Sequence, residues 1–193
     1  LLPDPLDQFA RWMDAALAAR LPEPPAMTLA TATPDGIPSA RMVLLKGFDA
    51  RGLRFFTNHE SQKGQELLAN PRAALVFYWQ PLSRQVRITG PVSPLSPDES
   101  DAYFASRARH SQLGAWASPQ SRPLPSRAVL VTRYAEATWR FLGKKVSRPP
   151  YWGGFQLTPE RVEFWQGREF RLHDRFVYTR EESGAWTVER LSP

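Results

Sequence analysis

The chain has 193 residues, with 42% hydrophobic and 23% charged residues, which fits one globular domain spanning 1–193 that buries about 70% of its unfolded surface. The absence of cysteine excludes disulfides, Cys-based metal or iron–sulfur sites and a thiol nucleophile, and no apolar run approaches the roughly 20 residues of a membrane-spanning helix. Twenty-five basic against 19 acidic residues give a charge of +6, but the basic residues are scattered, which argues against a nucleic-acid binder and leaves two readings open, an ordinary compositional bias toward arginine or anionic ligands.

Leu1 to Pro5 has neither the basic start nor the apolar core of a signal peptide, so the cytoplasm is the expected location. Asp4 as cap and Pro5 at the first helical position predict a helix over about 5–20, with Leu6, Phe9, Ala10, Met13 and Leu17 on one face. Met27 to Thr33 and Ser39 to Leu45 read as strands around the Thr33-Pro34-Asp35-Gly36 turn. Leu53 to Thr57 is a third strand, and Gln62 to Ala69 a short helix opened by Ser61 and stopped by Asn70-Pro71. Ala73 to Trp79 and Gln85 to Val92 form another strand pair. Ser96-Pro97-Asp98-Glu99 is a capping box whose helix runs to about Ser106. Ser118 to Ser126 reads as loop, Ser126 to about Leu142 as helix, and Lys144 to Pro150 as linker. Gly154–Leu157, Arg161–Gln166, Asp174–Thr179 and Trp186–Leu191 complete about eight strands. Without βαβ alternation, this mainly β pattern predicts an antiparallel barrel with peripheral helices.

Four clusters carry candidate chemistry. In Arg41-Met42-Val43-Leu44-Leu45-Lys46, strand alternation places Arg41, Val43 and Leu45 on one face and Met42, Leu44 and Lys46 on the other, with a basic group at each end. Thr57 to Gly64 joins a strand to a helix N-terminus, a natural phosphate seat to which Thr57, Ser61 and Lys63 add donors. Tyr103 and Arg107, four apart, share a helix face and with Ser111 could clasp a phosphate; Arg109 and His110 lie beside them. In Phe164 to Arg175, alternation along a strand would point Arg171, His173 and Arg175 the same way, beside Trp165. Each cluster also has an ordinary reading as a strand end, helix cap or charged hairpin. His59, His110 and His173 lack metal-ligand spacing, and no Gly-x-Ser-x-Gly, Walker or Gly-x-Gly-x-x-Gly motif occurs. The residues alone indicate a barrel with several phosphate-suited sites and aromatic walls.

The Arg41–Lys46 string, Phe56-Thr57-Asn58, Arg84-Gln85-Val86, Ser111 to Trp116, Trp152-Gly153-Gly154 and the Phe164–Arg175 block occur in one order. From Asp4 to Pro193 the chain resembles the pyridoxine/pyridoxamine 5′-phosphate oxidase family. The resemblance implies an FMN-binding split β-barrel, a homodimer with FMN at the subunit interface, and oxidation of pyridoxamine or pyridoxine 5′-phosphate to pyridoxal 5′-phosphate with O2 as acceptor, giving H2O2. It implies FMN contacts at Arg41, Met42, Val43, Leu44, Leu45, Lys46, Phe56, Thr57, Gln62, Lys63, Gln85, Gln120, Ser121, Trp165 and Arg175. By the same resemblance Lys46, Tyr103, Arg107 and Ser111 hold the substrate phosphate, and Arg171 and His173 sit over the substrate ring as the catalytic pair. Gln62 stands where the family often has Arg, so FMN affinity is expected to be weaker. The family's basic and aromatic segment upstream of the first helix is expected to be absent or to lie outside these residues. Phenazine-type flavin oxidases share this fold but depart at the substrate-phosphate positions. A non-catalytic flavin or pyridoxal-phosphate binder is the other alternative.

Overall fold

The computed structural model describes residues 1–193. Asp4 caps α1 (Pro5–Ala18) by accepting the Leu6 N–H at 2.6 Å, and Pro5 takes the first turn, where its missing N–H costs nothing. The helix lays Phe9, Met13 and Ala16 on the main core, where Phe9 meets Phe77 with ring centroids 4.9 Å apart. Burying each such ring contributes about 1.5–3 kcal/mol.

The strands are β1 (Ala26–Ala32), β2 (Pro38–Leu44), β3 (Gly47–Asp49), β4 (Gly52–Asn58), β5 (Arg72–Trp79), β6 (Arg84–Pro94), β7 (Trp152–Leu157), β8 (Arg161–Gln166), β9 (Asp174–Arg180) and β10 (Trp186–Leu191). One path runs β10-β9-β8-β6-β5-β1-β2, and all pairings are antiparallel. The sheet curls because β6, 11 residues long, changes partners along its length. Its first part pairs with β5 and β8, and its last residues, Val92 to Pro94, pair with β7, which continues to β4 and β3. The interior is filled from alternate positions, as in β5, where Ala73, Leu75, Phe77 and Trp79 are buried and Tyr78 faces out.

The remaining helices are α2 (Gln62–Ala69), α3 (Pro97–Ser106), α4 (Arg109–Ala117) and α5 (Arg127–Arg140). Of these, α3 carries the expected capping box, Ser96 with Glu99. A second core, including Phe104, Leu113, Phe141 and Trp152, fixes α3, α4 and α5 against β7. No helix is long and apolar enough to cross a membrane.

The antiparallel barrel with peripheral helices stands as expected, with three corrections. There are ten strands rather than about eight: each strand segment named from the sequence is present, the end hairpin included, and the three-residue β3 is the addition. The segment Arg109–Ala117 is a helix, although Ala108 gives it no side-chain cap. Tyr103 and Arg107 do not share a helix, because α3 ends at Ser106 and Arg107 turns extended (φ −71°, ψ 149°) between α3 and α4.

Candidate active site

A cavity of 680 Å³ opens between the end of β2, strand β4 and the α3–α4 corner. Lys46 and Leu44 reach it from beyond and at the end of β2; Phe56 and Thr57 come from β4, Tyr103 from α3, Arg107 and Ser111 from the corner, and Trp152 from β7. Three rings line one wall nearly in parallel. Phe56 stacks on Tyr103 with centroids 3.9 Å apart, and on Trp152 at 5.5 Å. Gly154, opposite Phe56 in the β4–β7 register, makes room for this wall: a Cβ there would lie 2.7 Å from Phe56 Cε1.

The Arg107 guanidinium lies 4.8 Å from the Trp152 ring centroid. Its Nη1 is buried and has no protein partner, and burial pushes its pKa below the usual arginine value. A buried cation with an unpaired donor costs free energy unless an anion meets it. Here Lys46, Tyr103 and Ser111 line the same cavity, so the corner gathers two cations and two hydroxyls whose chemistry suits an anion. Arg107 reaches this corner from a connection because the two short helices converge there. Neighbouring Arg109 serves the fold instead, donating to the carbonyls of Phe141 at 2.7 Å and Lys144 at 3.0 Å, and His110 is exposed.

A second basic group lies beyond Thr57. Ser61 caps α2 by accepting the Gly64 N–H at 3.3 Å, leaving early helix N–H groups free as anion donors. Lys63 is 8% exposed, yet its Nζ has only hydroxyl partners, Thr57 Oγ1 at 3.4 Å and Ser61 Oγ at 3.5 Å. Burial first, and then the Arg41 charge, lower its pKa. Thr57 also donates to Gln120 Oε1 at 3.1 Å, and both line the cavity. Ser121 is exposed beside them, with φ 69°.

Strand β2 separates its residues as alternation predicts. Arg41, Val43 and Leu45 turn inward, with Val43 and Leu45 packed on the main core, while Leu44 and Lys46 line the cavity. Arg41 pairs with Glu66 at 3.3 Å. Met42 is 63% exposed on the outer sheet face. Gln62 is exposed on α2 and donates to Glu66 Oε1 at 2.8 Å.

The other candidates form a separate group on that outer face. Gln85 sits opposite Trp165, and Trp165 opposite Arg175, in one row across β6, β8 and β9. The Trp165 ring lies 4.7 Å from that of His173. The expected strand alternation through Arg171 and His173 is corrected here: Glu169–Arg171 is a 3₁₀ turn, Phe170 and Arg171 have φ of 55° and 61°, and β9 begins only at Asp174. His173 Nδ1 accepts the Arg168 N–H at 3.1 Å. None of these residues lines the 680 Å³ cavity of the same chain.

Sequence reasoning missed Glu66 and Trp152 as parts of the site. Trp152 lies in the Trp152-Gly153-Gly154 block, whose pattern by itself gives it no role. Glu66 follows Gln62 by four positions on one helix face, the only local sign of their contact.

The family model described as pyridoxamine 5′-phosphate oxidase matches residues 13–141, and that of the pyridoxine 5′-phosphate oxidase C-terminal dimerisation region matches 152–193. A Rubrobacter xylanophilus protein named pyridoxine/pyridoxamine 5′-phosphate oxidase is 61% identical over 99% of this chain and 88% of its own length. A Cupriavidus necator protein of the same name is 58% identical over 99% and 90%. Among solved structures, PhzG from Burkholderia lata in complex with tetrahydrophenazine-1-carboxylic acid superposes with a TM-score of 0.95 at 35% identity, covering 100% of this chain and 94% of that one. An FMN-binding protein from Nostoc punctiforme superposes with a TM-score of 0.76 at 21% identity, over 95% and 96% of the two chains, which shows the shared fold.

Proposed function

The chain belongs to the pyridoxine/pyridoxamine 5′-phosphate oxidase family, and on that premise we propose how its residues divide the work. The activity is FMN-dependent oxidation of pyridoxamine 5′-phosphate and pyridoxine 5′-phosphate to pyridoxal 5′-phosphate, with O2 reduced to H2O2.

One observation carries the assignment of the substrate end: the buried, unpartnered Arg107 Nη1 in a cavity that also holds Lys46, Tyr103 and Ser111. A phosphate there receives charge-assisted hydrogen bonds from Arg107 and Lys46, and hydroxyl hydrogen bonds from Tyr103 and Ser111. This grip is remote from the bond that reacts, so its binding energy positions the substrate ring. The same four residues favour a phosphorylated substrate over an unphosphorylated ring of the phenazine type.

The chemistry of the second group fits the phosphate of FMN. Buried Lys63 with hydroxyl partners only, the α2 N-terminus, Thr57 and Arg41 form its seat. Leu44, Phe56 and Gln120 extend from it toward the substrate end. When bound, FMN supplies the two-electron acceptor and passes those electrons to O2.

We assign the outer sheet face to a homodimer whose second copy completes the site. The matched C-terminal dimerisation region supports this, as does the exposure of Met42, Tyr78, Phe170 and Leu172. Gln85, Trp165 and Arg175 then serve the cofactor, and Arg171 and His173 the substrate ring. Because His173 Nδ1 accepts a main-chain N–H, the neutral ring carries its proton on Nε2. Nε2 therefore donates to the substrate rather than taking a proton from it. Turnover of FMN-loaded protein tests the function: pyridoxine 5′-phosphate yields peroxide and pyridoxal 5′-phosphate, whereas pyridoxine without its phosphate does not compete. Equal competition by pyridoxine would overturn the phosphate assignment.

A further inference from the structure

One carboxylate sits inside this basic site, and none of the steps above uses it. Glu66 is 6% exposed. Its Oε2 accepts from Ser39 Oγ at 2.6 Å, from Arg41 Nη2 at 3.3 Å and from Thr31 Oγ1; its Oε1 accepts from Gln62 Nε2 at 2.8 Å. The cluster joins β1, β2 and α2, so three elements meet on one negative charge. That charge pairs with Arg41 and leaves Lys63 to the hydroxyls of Thr57 and Ser61. Burial and the Arg41 charge both push Lys63 toward its neutral form, and Glu66 is the group that opposes them.

We propose that Glu66 is the internal counter-ion of the flavin phosphate seat. It stabilises Arg41 and Lys63 near one another in the cofactor-free protein, a task the phosphate dianion takes over when FMN binds. The inference rests on the reading of that seat given above. Arg41, Lys63 and Glu66 together carry one net positive charge, and the seat is thereby stable without cofactor at the expense of some affinity for it.

Glu66→Gln separates charge from shape. The amide oxygen keeps accepting from Thr31, Ser39 and Arg41, and the amide N–H₂ donates to a flipped Gln62. Two consequences of opposite sign follow. The stripped variant loses stability because buried Lys63 and partly buried Arg41 repel without a counter-charge. The loaded variant holds FMN more tightly because the dianion meets two net positive charges.

The experiment follows FMN release from the holoenzyme by flavin fluorescence after dilution, alongside thermal unfolding of the stripped protein. Glu66→Gln is expected to release FMN roughly three- to tenfold more slowly than wild type, the effect of one unit charge at a high effective dielectric, and to melt lower when stripped. Glu66→Asp, which keeps the charge, releases FMN at a rate close to wild type. Riboflavin, lacking the phosphate, is held equally by wild type and Glu66→Gln. Equal or faster FMN release from Glu66→Gln would overturn the proposal and leave Glu66 a structural residue. If stripped Glu66→Gln does not refold, the holoenzyme release rate decides alone. Wild type binding riboflavin as tightly as FMN would instead refute the phosphate-seat reading itself.

Discussion

The rings of Phe56 and Tyr103 stack with centroids 3.9 Å apart and 20° between their planes, tying β4 to α3 along one wall of the cavity. The stack fixes the Tyr103 hydroxyl without a hydrogen bond to do so, which separates its packing from its chemistry. Tyr103→Phe is expected to keep the stack and its stability within about 0.5 kcal/mol, as for a substitution that removes no packing. It should raise KM for pyridoxine 5′-phosphate several-fold. Phe56→Ala should destabilise by about 2 kcal/mol, below the roughly 3–5 kcal/mol of a fully buried ring, since Phe56 is half-buried. Urea unfolding of both variants, with steady-state kinetics of the first, checks the pair.

Arg107→Ala removes the cation whose Nη1 has no protein partner. A charge-assisted hydrogen bond contributes about 1.5–3 kcal/mol, so KM should rise about ten- to a hundredfold while FMN stays bound. Loss of FMN from this variant would mean that Arg107 belongs to the cofactor end.

Gln62 offers an amide where a guanidinium would add a charge to the proposed phosphate seat. Gln62→Arg is expected to tighten FMN binding several-fold in titrations of the stripped protein. Equal affinities would show that position 62 takes no part in holding the phosphate.

Glu66 also marks the acid limb of stability. Burial works to raise its pKa, but hydrogen bonds from Ser39, Thr31 and Gln62 and the Arg41 charge outweigh burial and bring it to about 2, from 4.5. A carboxylate with a depressed folded pKa contributes stability above its unfolded pKa and loses it as pH falls through the folded one. The contribution, on the order of 3 kcal/mol by linkage, is therefore complete above about pH 5 and fades between about pH 4.5 and 2. Urea midpoints across that range should fall less steeply in Glu66→Gln than in wild type.

Arg171 stands outside the cavity of its own chain, at φ 61° in the turn before β9. In the dimeric reading, Arg171→Ala should cut kcat/KM while the flavin remains bound, and unchanged turnover would remove Arg171 from the site.

These relationships were unevenly legible in the sequence. Helix α1, the capping box of α3 and the alternation of β2 depend on neighbours in the chain, and they follow from local rules. Helix α4 escaped because Ala108 offers no capping side chain and Gly114 interrupts it. The Arg171–His173 alternation misled because two consecutive left-handed residues break the strand that it suggested. Glu66 was illegible because its partners Thr31 and Ser39 arrive from β1 and β2, 35 and 27 positions away. The family-specific blocks gave the function, but not the separation of their residues into an inner cavity and an outer sheet face.

The most direct test is anaerobic addition of pyridoxine 5′-phosphate to the FMN-loaded protein, followed by flavin absorbance. The flavin band is expected to bleach, a pyridoxal 5′-phosphate band to appear, and air to restore the flavin. A flavin that stays oxidised with FMN demonstrably bound and substrate in excess would contradict the assigned activity.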